Sequence, residues 1–254
     1  MPRLGFSLLI LLSSMASVLN ADEVTVAVAS NFAKPLEALA AAFKAKTGHE
    51  LKISAGATGK LYAQIEHGAP FEVLLSADSK TPEKLVAAQL AIADSRFTYA
   101  LGKLVLWSST QNYIDAQGTV LQKNEFKHLA IANPKTAPYG AAAQEVLEHL
   151  GLTKTLEAKL VQGENISQTY DFVSTGNAEL GFVAWSQVVQ AGGLKQGSVW
   201  QIPDRFYSPI QQDAVLLTKG QNNPAAKALL AFLKTPAAQK LITEAGYGLP
   251  TAAN

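Results

Sequence analysis

Four short segments of the sequence combine hydroxyl, amide and small residues in a way that could hold an anion without a cation beside it. They are Ala29-Ser30-Asn31, Ala55-Gly56-Ala57-Thr58-Gly59, Asn133-Pro134 through Pro138-Tyr139-Gly140, and Glu164-Asn165-Ile166-Ser167. Each stands between an apolar run and a helical pattern, where a helix start offers unpaired backbone N–H groups and partial positive charge. The first two carry no charged side chain up to Thr58, so N–H dipoles and hydroxyls would replace arginine there. Ser, Thr and Asn are also the ordinary N-cap residues, and Tyr139 within Pro-Tyr-Gly reads equally as a surface turn residue. Four such turns in one chain point to a shared ligand more strongly than any one does.

Catalytic readings fare worse. Gly56-Ala57-Thr58-Gly59-Lys60-Leu61 has the outline of a phosphate loop, but Ser54 stands where the first glycine belongs and Leu61 where Mg²⁺ needs a hydroxyl. The chain has no G-x-S-x-G elbow, no H-E-x-x-H helix and no G-x-G-x-x-G turn. Asp171 and Glu179 could serve as acid and base, but nothing in their spacing unites them. His49, His67, His128 and His149 are never at i, i+4. There is no cysteine, so neither a histidine or thiolate metal site nor a disulfide nor a lipid-bearing cysteine is expected. Asn165-Ile166-Ser167 fits a glycosylation acceptor, a pattern too short to carry weight. The residues read as a binding protein, not an enzyme, with no cofactor.

The elements that must position these turns alternate along the chain. Residues 24–29 read as a buried strand, followed by a helix capped by Ser30 or Asn31, with Leu36, Leu39 and Phe43 on one face and Gly48 at its end. Strand 50–54 leads through the glycine turn into helix 60–67, and strand 71–76 into helix 82–88. Strands 129–132, 159–162 and 180–184 lead into helices 140–150, 167–174 and 186–191, and helices 225–233 and 236–244 close the chain. This alternation predicts an α/β fold with mainly parallel sheets covered by helices on both faces, and ligands at the carboxyl ends of the strands. Two longer strand-like stretches, 97–108 and 207–218, break the rhythm. A chain that leaves one α/β unit for a second and returns needs two such crossings. Two lobes are therefore expected, residues 22–100 plus 206–254 and residues 101–205, with a single large sheet as the alternative.

Composition narrows the partners. Of the 254 residues, 48% are hydrophobic and 16% charged, an ordinary globular balance that excludes disordered, collagen-like and coiled-coil chains. Lys+Arg of 21 against Asp+Glu of 20 leaves no surplus to follow a nucleic-acid backbone. Residues 1–21 read as a secretory signal: Arg3, the apolar Leu8 to Leu12, then small residues. Its apolar run is shorter than the ~20 residues that span a bilayer. Cleavage after Ala21 is favoured, with Ala16 as the alternative, giving a soluble protein of the periplasm.

Several blocks then support a family. They are VAVASNF (26–32), GATGKLYAQIE (56–66), GAPFEVLLSAD (68–78), NPKTAPYG (133–140) and GFVA (181–184). In this order, over nearly all of residues 23–250, the chain resembles the periplasmic molybdate-binding proteins of ABC importers, within the type II periplasmic binding fold. The resemblance implies two α/β lobes joined by two crossing strands. It implies a tetrahedral oxyanion, molybdate or tungstate, held in the interlobe cleft and delivered to an inner-membrane ABC permease, by a monomer without a cofactor. Carried over residue by residue, it places hydroxyl contacts at Ser30, Thr58 and Tyr139 and backbone N–H contacts at Asn31 and Ile166. Many relatives have Ser at the place of Thr58. Some place their tyrosine after the Gly-x-Val strand, where this chain has Ala184; a tyrosine in the third turn matches a second pattern of the family. The rival readings are a receptor for sulfate, phosphate or an organic acid, and a secreted enzyme on the same fold. An organic acid usually calls for an Arg clamp. Beyond residue 21 only Arg96 and Arg205 remain, neither at one of the four turns.

Overall fold

The structure is a computed structural model that describes residues 22–191 and 193–251. The signal segment expected at residues 1–21 lies outside them. The chain first builds β1 (Glu23–Ala29), α1 (Ala33–Thr47), β2 (Glu50–Gly56), α2 (Thr58–Glu66), β3 (Val73–Leu75), α3 (Lys80–Ala87) and β4 (Phe97–Gly102). It continues through β5 (Leu104–Ser108), α4 (Val120–Lys123), β6 (Leu129–Ala132), α5 (Pro138–His149), α6 (Thr153–Leu156), β7 (Leu160–Gly163), α7 (Ile166–Ser174) and β8 (Leu180–Ala184). After α8 (Trp185–Val188) come the small strands β9 (Val189–Gln190) and β10 (Gly193–Leu194), then β11 (Ser198–Gln201), β12 (Ile210–Leu216), α9 (Pro224–Leu233) and α10 (Pro236–Glu244).

Two five-stranded sheets organise these elements, in the orders β2-β1-β3-β12-β4 and β11-β5-β8-β6-β7. In each sheet a single strand runs against the rest: β12 is antiparallel to β3 and β4, and β5 to β8 and β11. These are the two strands reached by crossing from the other sheet rather than through a helix, which explains the reversal. The first crossing interrupts a strand-like stretch at Lys103, between β4 and β5. The second does not use residues 207–218 as the sequence pattern predicts. It occupies residues 202–209, carrying a 3-10 turn at Asp204–Phe206, and β12 lies wholly within the first sheet. Pro203 and Pro209 bracket this crossing and have no N–H for a ladder.

Helices cover both faces of each sheet. Leu36, Leu39 and Phe43 of α1 are fully buried with Leu229 and Ile242 of the closing helices, while Leu61 and Leu85 pack on the opposite face. In the second lobe Tyr139, Val146 and Leu147 of α5 cover one face, and Val173 and Val188 the other. Gly48 ends α1 in the left-handed region at φ 79°, a conformation that favours glycine. The core of the second lobe reaches Ala29, Ala77 and Ile210 of the first, and the surfaces that meet between the lobes are strand ends and helix starts.

Candidate functional site

The helix starts converge because the strands that precede them end on facing rims. β1 ends at Ala29 and passes into a 3-10 turn at Ser30–Phe32, and β2 ends at Gly56 before α2 begins at Thr58. From the other lobe, α5 begins at Pro138 and α7 at Ile166. Ser30, Asn31, Thr58, Tyr139 and Ile166 all line the one small cavity between them. No side chain lining it is charged. With the rims this close its volume is about 10 Å³, room for about one water-sized group and far below the several hundred Å³ of pockets for larger ligands.

Three of these helix starts have no side chain to cap their N–H groups. Ala29, Ala57 and Ala137 precede the first three helical segments, with no side-chain cap. This corrects the expectation that Ser30 or Asn31 caps the first helix. Asn31, 4% exposed, is instead turned to Gln212 Oε1 (2.8 Å) and Tyr247 Oη (3.0 Å), so only its backbone is left to serve a ligand. Thr58 is likewise inside its helix, and its Oγ1 accepts from the Ala77 N–H at 3.2 Å. That leaves the Thr58 proton for the cavity. At α7 a true cap is present: Asn165 accepts from the N–H groups of Ser167 (2.9 Å) and Gln168 (3.1 Å), and Ile166 N–H stays outside it. Gly140 lets the third turn close, since a Cβ there would run into the carbonyl oxygen of Ala132.

Across the gap the lobes are linked by groups that border the cavity. Gly59 N–H donates to the Thr136 carbonyl (2.9 Å), Ser167 Oγ to the Ser30 carbonyl (3.2 Å), and Ser186 Oγ to Tyr247 Oη (2.9 Å). Lys60 pairs with Glu164 on the outside. The lobes are therefore closed on each other.

Behind the cavity Asn31 and Tyr139 join a buried polar cluster whose other members, Gln212 of β12, Tyr99 and Tyr247, were not expected from the sequence. Its signal in the sequence was Gln211-Gln212-Asp213 inside an otherwise apolar strand. Tyr247, between two glycines, gave no comparable signal. Burial pushes the phenols of Tyr99 and Tyr139 well above the ordinary 10.0 and that of Tyr247 to about 12. An acid whose folded pKa is raised stays protonated while its unfolded counterpart ionises, so stability is intact below 10 and declines as pH rises above it. The melting temperature is expected to fall steeply above pH 10 because of these phenols. A Tyr99→Phe/Tyr247→Phe protein should show a shallower fall between pH 10 and 11.

Among the described residues neither arginine reaches the cavity. Arg96 bonds Asp213 (3.0 Å) and Glu83 (2.9 Å), and Arg205 lies over the Phe206 ring. Among the described residues no group of three His, Cys, Asp or Glu could hold a metal ion, and no helix is long and apolar enough to cross a membrane.

Residues 24–248 match the family of bacterial extracellular solute-binding proteins. The molybdate-binding protein ModA of Azotobacter vinelandii is 57% identical over 235 residues, 92% of this chain and 93% of the relative. The molybdate-binding protein ModA of Rhodobacter capsulatus is 51% identical over 245 residues, 96% of each chain. Among solved structures, the periplasmic molybdate-binding protein of Azotobacter vinelandii superposes with a TM-score of 0.88 at 44% sequence identity, covering 90% of this chain and 100% of that one.

Proposed function

The chain belongs to the family of bacterial extracellular solute-binding proteins, and we propose that it captures molybdate, with tungstate as an equivalent ligand, and delivers it to an ABC permease. The observation that carries this reading is the uncharged cavity on which helix starts from both lobes converge. Relatives 57% and 51% identical that are named molybdate-binding proteins supply the ligand. Hydroxyl protons of Ser30, Thr58 and Tyr139 and the N–H groups of Asn31 and Ile166 serve as its donors. Ser30, Asn31 and Thr58 belong to the lobe built on the β2-β1-β3-β12-β4 sheet, and Tyr139 and Ile166 to the lobe built on the β11-β5-β8-β6-β7 sheet.

Binding and closure are then one event. An anion that contacts both lobes favours the closed state by its differential affinity for it, and the closed surface is what a permease reads. Selection follows from the donor set. A full dianion accepts from every donor, whereas a protonated phosphate needs an acceptor for its own hydrogen. Sulfate, with shorter bonds, leaves some donors out of reach, at a cost that buried donors make large. The cavity offers no charged acid or base for turnover, so saturable binding without conversion is expected. The protein acts as a soluble monomer in the periplasm, released there by removal of residues 1–21.

The melting temperature is expected to rise with molybdate and with tungstate. At a hundredfold excess over the dissociation constant, a ligand that binds only the folded state stabilises it by about 2.7 kcal/mol. Sulfate and phosphate at the same concentration should produce little shift. A melting curve unmoved by molybdate and tungstate but raised by another solute would overturn the ligand assignment.

A further inference from the structure

We propose that Gln212 is a positioning and specificity residue of this site, whose amide fixes the direction in which the Tyr139 hydroxyl gives its proton. The inference rests on the reading that Tyr139 contacts the anion. Gln212 is fully buried in β12, and a bulge between it and Asp213 buries these two consecutive polar residues together. Its own orientation is determined by its neighbours. Oε1 lies 2.8 Å from Asn31 Nδ2, a donor, and 3.3 Å from the Tyr99 hydroxyl, whose one proton it shares with the Ser76 carbonyl at 3.2 Å. Nε2 is therefore left for the Tyr139 oxygen, at a long 3.5 Å. Reversing the amide would set its N–H groups against the Asn31 N–H.

The direction can be followed further back. The Tyr247 hydroxyl donates to the Asn31 carbonyl (2.8 Å) and accepts from Ser186 Oγ (2.9 Å) and Asn31 Nδ2 (3.0 Å). With its proton committed to a carbonyl, Tyr247 accepts from Asn31 rather than donating to it, which fixes the Asn31 amide. Each link thus passes one donor forward: Asn31 to Gln212, Gln212 to Tyr139, and Tyr139 to the cavity. Gly102 of β4 leaves the space where the last two groups meet, since a Cβ there would press on the Tyr139 hydroxyl and lie 3.0 Å from Gln212 Nε2. The phenols stay protonated because burial raises them, so the chain holds across the neutral range.

A Tyr139 oxygen that takes the Gln212 N–H aims its proton at the ligand. Accepting the hydrogen of a protonated phosphate would require that proton to turn away, which makes Gln212 part of the discrimination against that ion. Removing the amide frees the hydroxyl to rotate and to accept.

The experiment is calorimetry with molybdate and with inorganic phosphate on the wild type, Gln212→Met, Tyr139→Phe and the double variant. Gln212→Met and Tyr139→Phe are each expected to weaken molybdate binding about tenfold. The double variant should bind within about twofold of Tyr139→Phe, because Gln212 acts through that hydroxyl. The preference for molybdate over phosphate should narrow in Gln212→Met. Losses that multiply in the double variant, or a Gln212→Met protein with wild-type affinity and selectivity, overturn the proposal while Tyr139 keeps its contact. Wild-type affinity in Tyr139→Phe overturns the contact itself and the proposal with it. If the ligand-free melting curve shows that Gln212→Met folds poorly, Gln212→Glu replaces it, keeping an acceptor for Asn31 and Tyr99. Its carboxyl can donate to Tyr139 only while protonated, so affinity should fall between pH 5 and 9. The phenols of Tyr99, Tyr139 and Tyr247 around it stay protonated there, and the neighbouring Asp213 side chain bonds Arg96 and Thr98 rather than this cluster. That fall should shrink in the Tyr139→Phe background, and a fall of the same size in both overturns the proposal.

Discussion

The Thr58→Ala/Tyr139→Phe protein is expected to bind molybdate at least about a hundredfold more weakly than the wild type. The two hydroxyls come from opposite lobes, at the first turns of α2 and α5, and both line the same cavity. Each has its oxygen engaged by a protein donor: Thr58 by the Ala77 N–H at 3.2 Å, Tyr139 by Gln212 Nε2 at 3.5 Å. Each therefore has one proton to give. A hydrogen bond to a charged group contributes roughly 1.5–3 kcal/mol, or about tenfold or more in affinity. Both hydroxyls serve one anion and so couple through it, and about a hundredfold is the combined loss when that coupling is small. Folding should suffer less. Thr58→Ala leaves the Ala77 N–H without its acceptor, at a cost of about 1 kcal/mol, and that cost appears in the ligand-free melting curve. Titrating the double variant with molybdate decides the matter: affinity within threefold of wild type would return both residues to a structural role.

How much of this was legible in the sequence depended on how local the signal was. The alternation of apolar strands and amphipathic helices, with α1 burying Leu36, Leu39 and Phe43, follows from periodicity, because each element's burial pattern is written in its own residues. The turns that form the cavity were legible for the same reason, since helix starts with small and hydroxyl residues are local features. The capping role of Ser30 or Asn31 was misread because a long-range partner outcompeted the local one: Gln212, 181 positions away, takes the Asn31 amide. β11 escaped notice because its four residues, Ser198–Gln201, gain strand character only from pairing with β5. The second crossing was displaced for a similar reason. The whole stretch 207–218 read as one crossing strand, but Ile210–Leu216 pairs with β3 and β4 inside the first sheet, so the crossing falls before it.

Arg96 shows why an arginine in such a chain need not serve the anion, and it gives the second large effect. Arg96→Met is expected to destabilise the fold by about 2–3 kcal/mol, below the roughly 3–5 kcal/mol typical when one partner of a fully buried ion pair is removed. The Asp213 side chain is 4% exposed, while that of Arg96 is 35% exposed and also reaches Glu83. Solvent therefore screens part of the interaction, which is why the smaller loss applies. Asp213 would keep the Thr98 hydroxyl (2.8 Å) but lose its cation, leaving a buried carboxylate half satisfied. For a domain of this size each kcal/mol lowers the melting temperature by about 2–4 °C, so a fall of about 4–12 °C is expected. Affinity for molybdate should change less than threefold, because Gln212 keeps its contacts with Asn31, Tyr99 and Tyr139 when its neighbour loses a partner. An unchanged melting curve would mean that Asp213 finds other compensation. A tenfold loss of affinity with little loss of stability would mean that the guanidinium contributes to the anion's field from outside the cavity. The expected pattern, lost stability with retained binding, is what an uncharged, donor-only site requires: the anion's charge is met by N–H dipoles and hydroxyls, and the arginine belongs to the strand behind them.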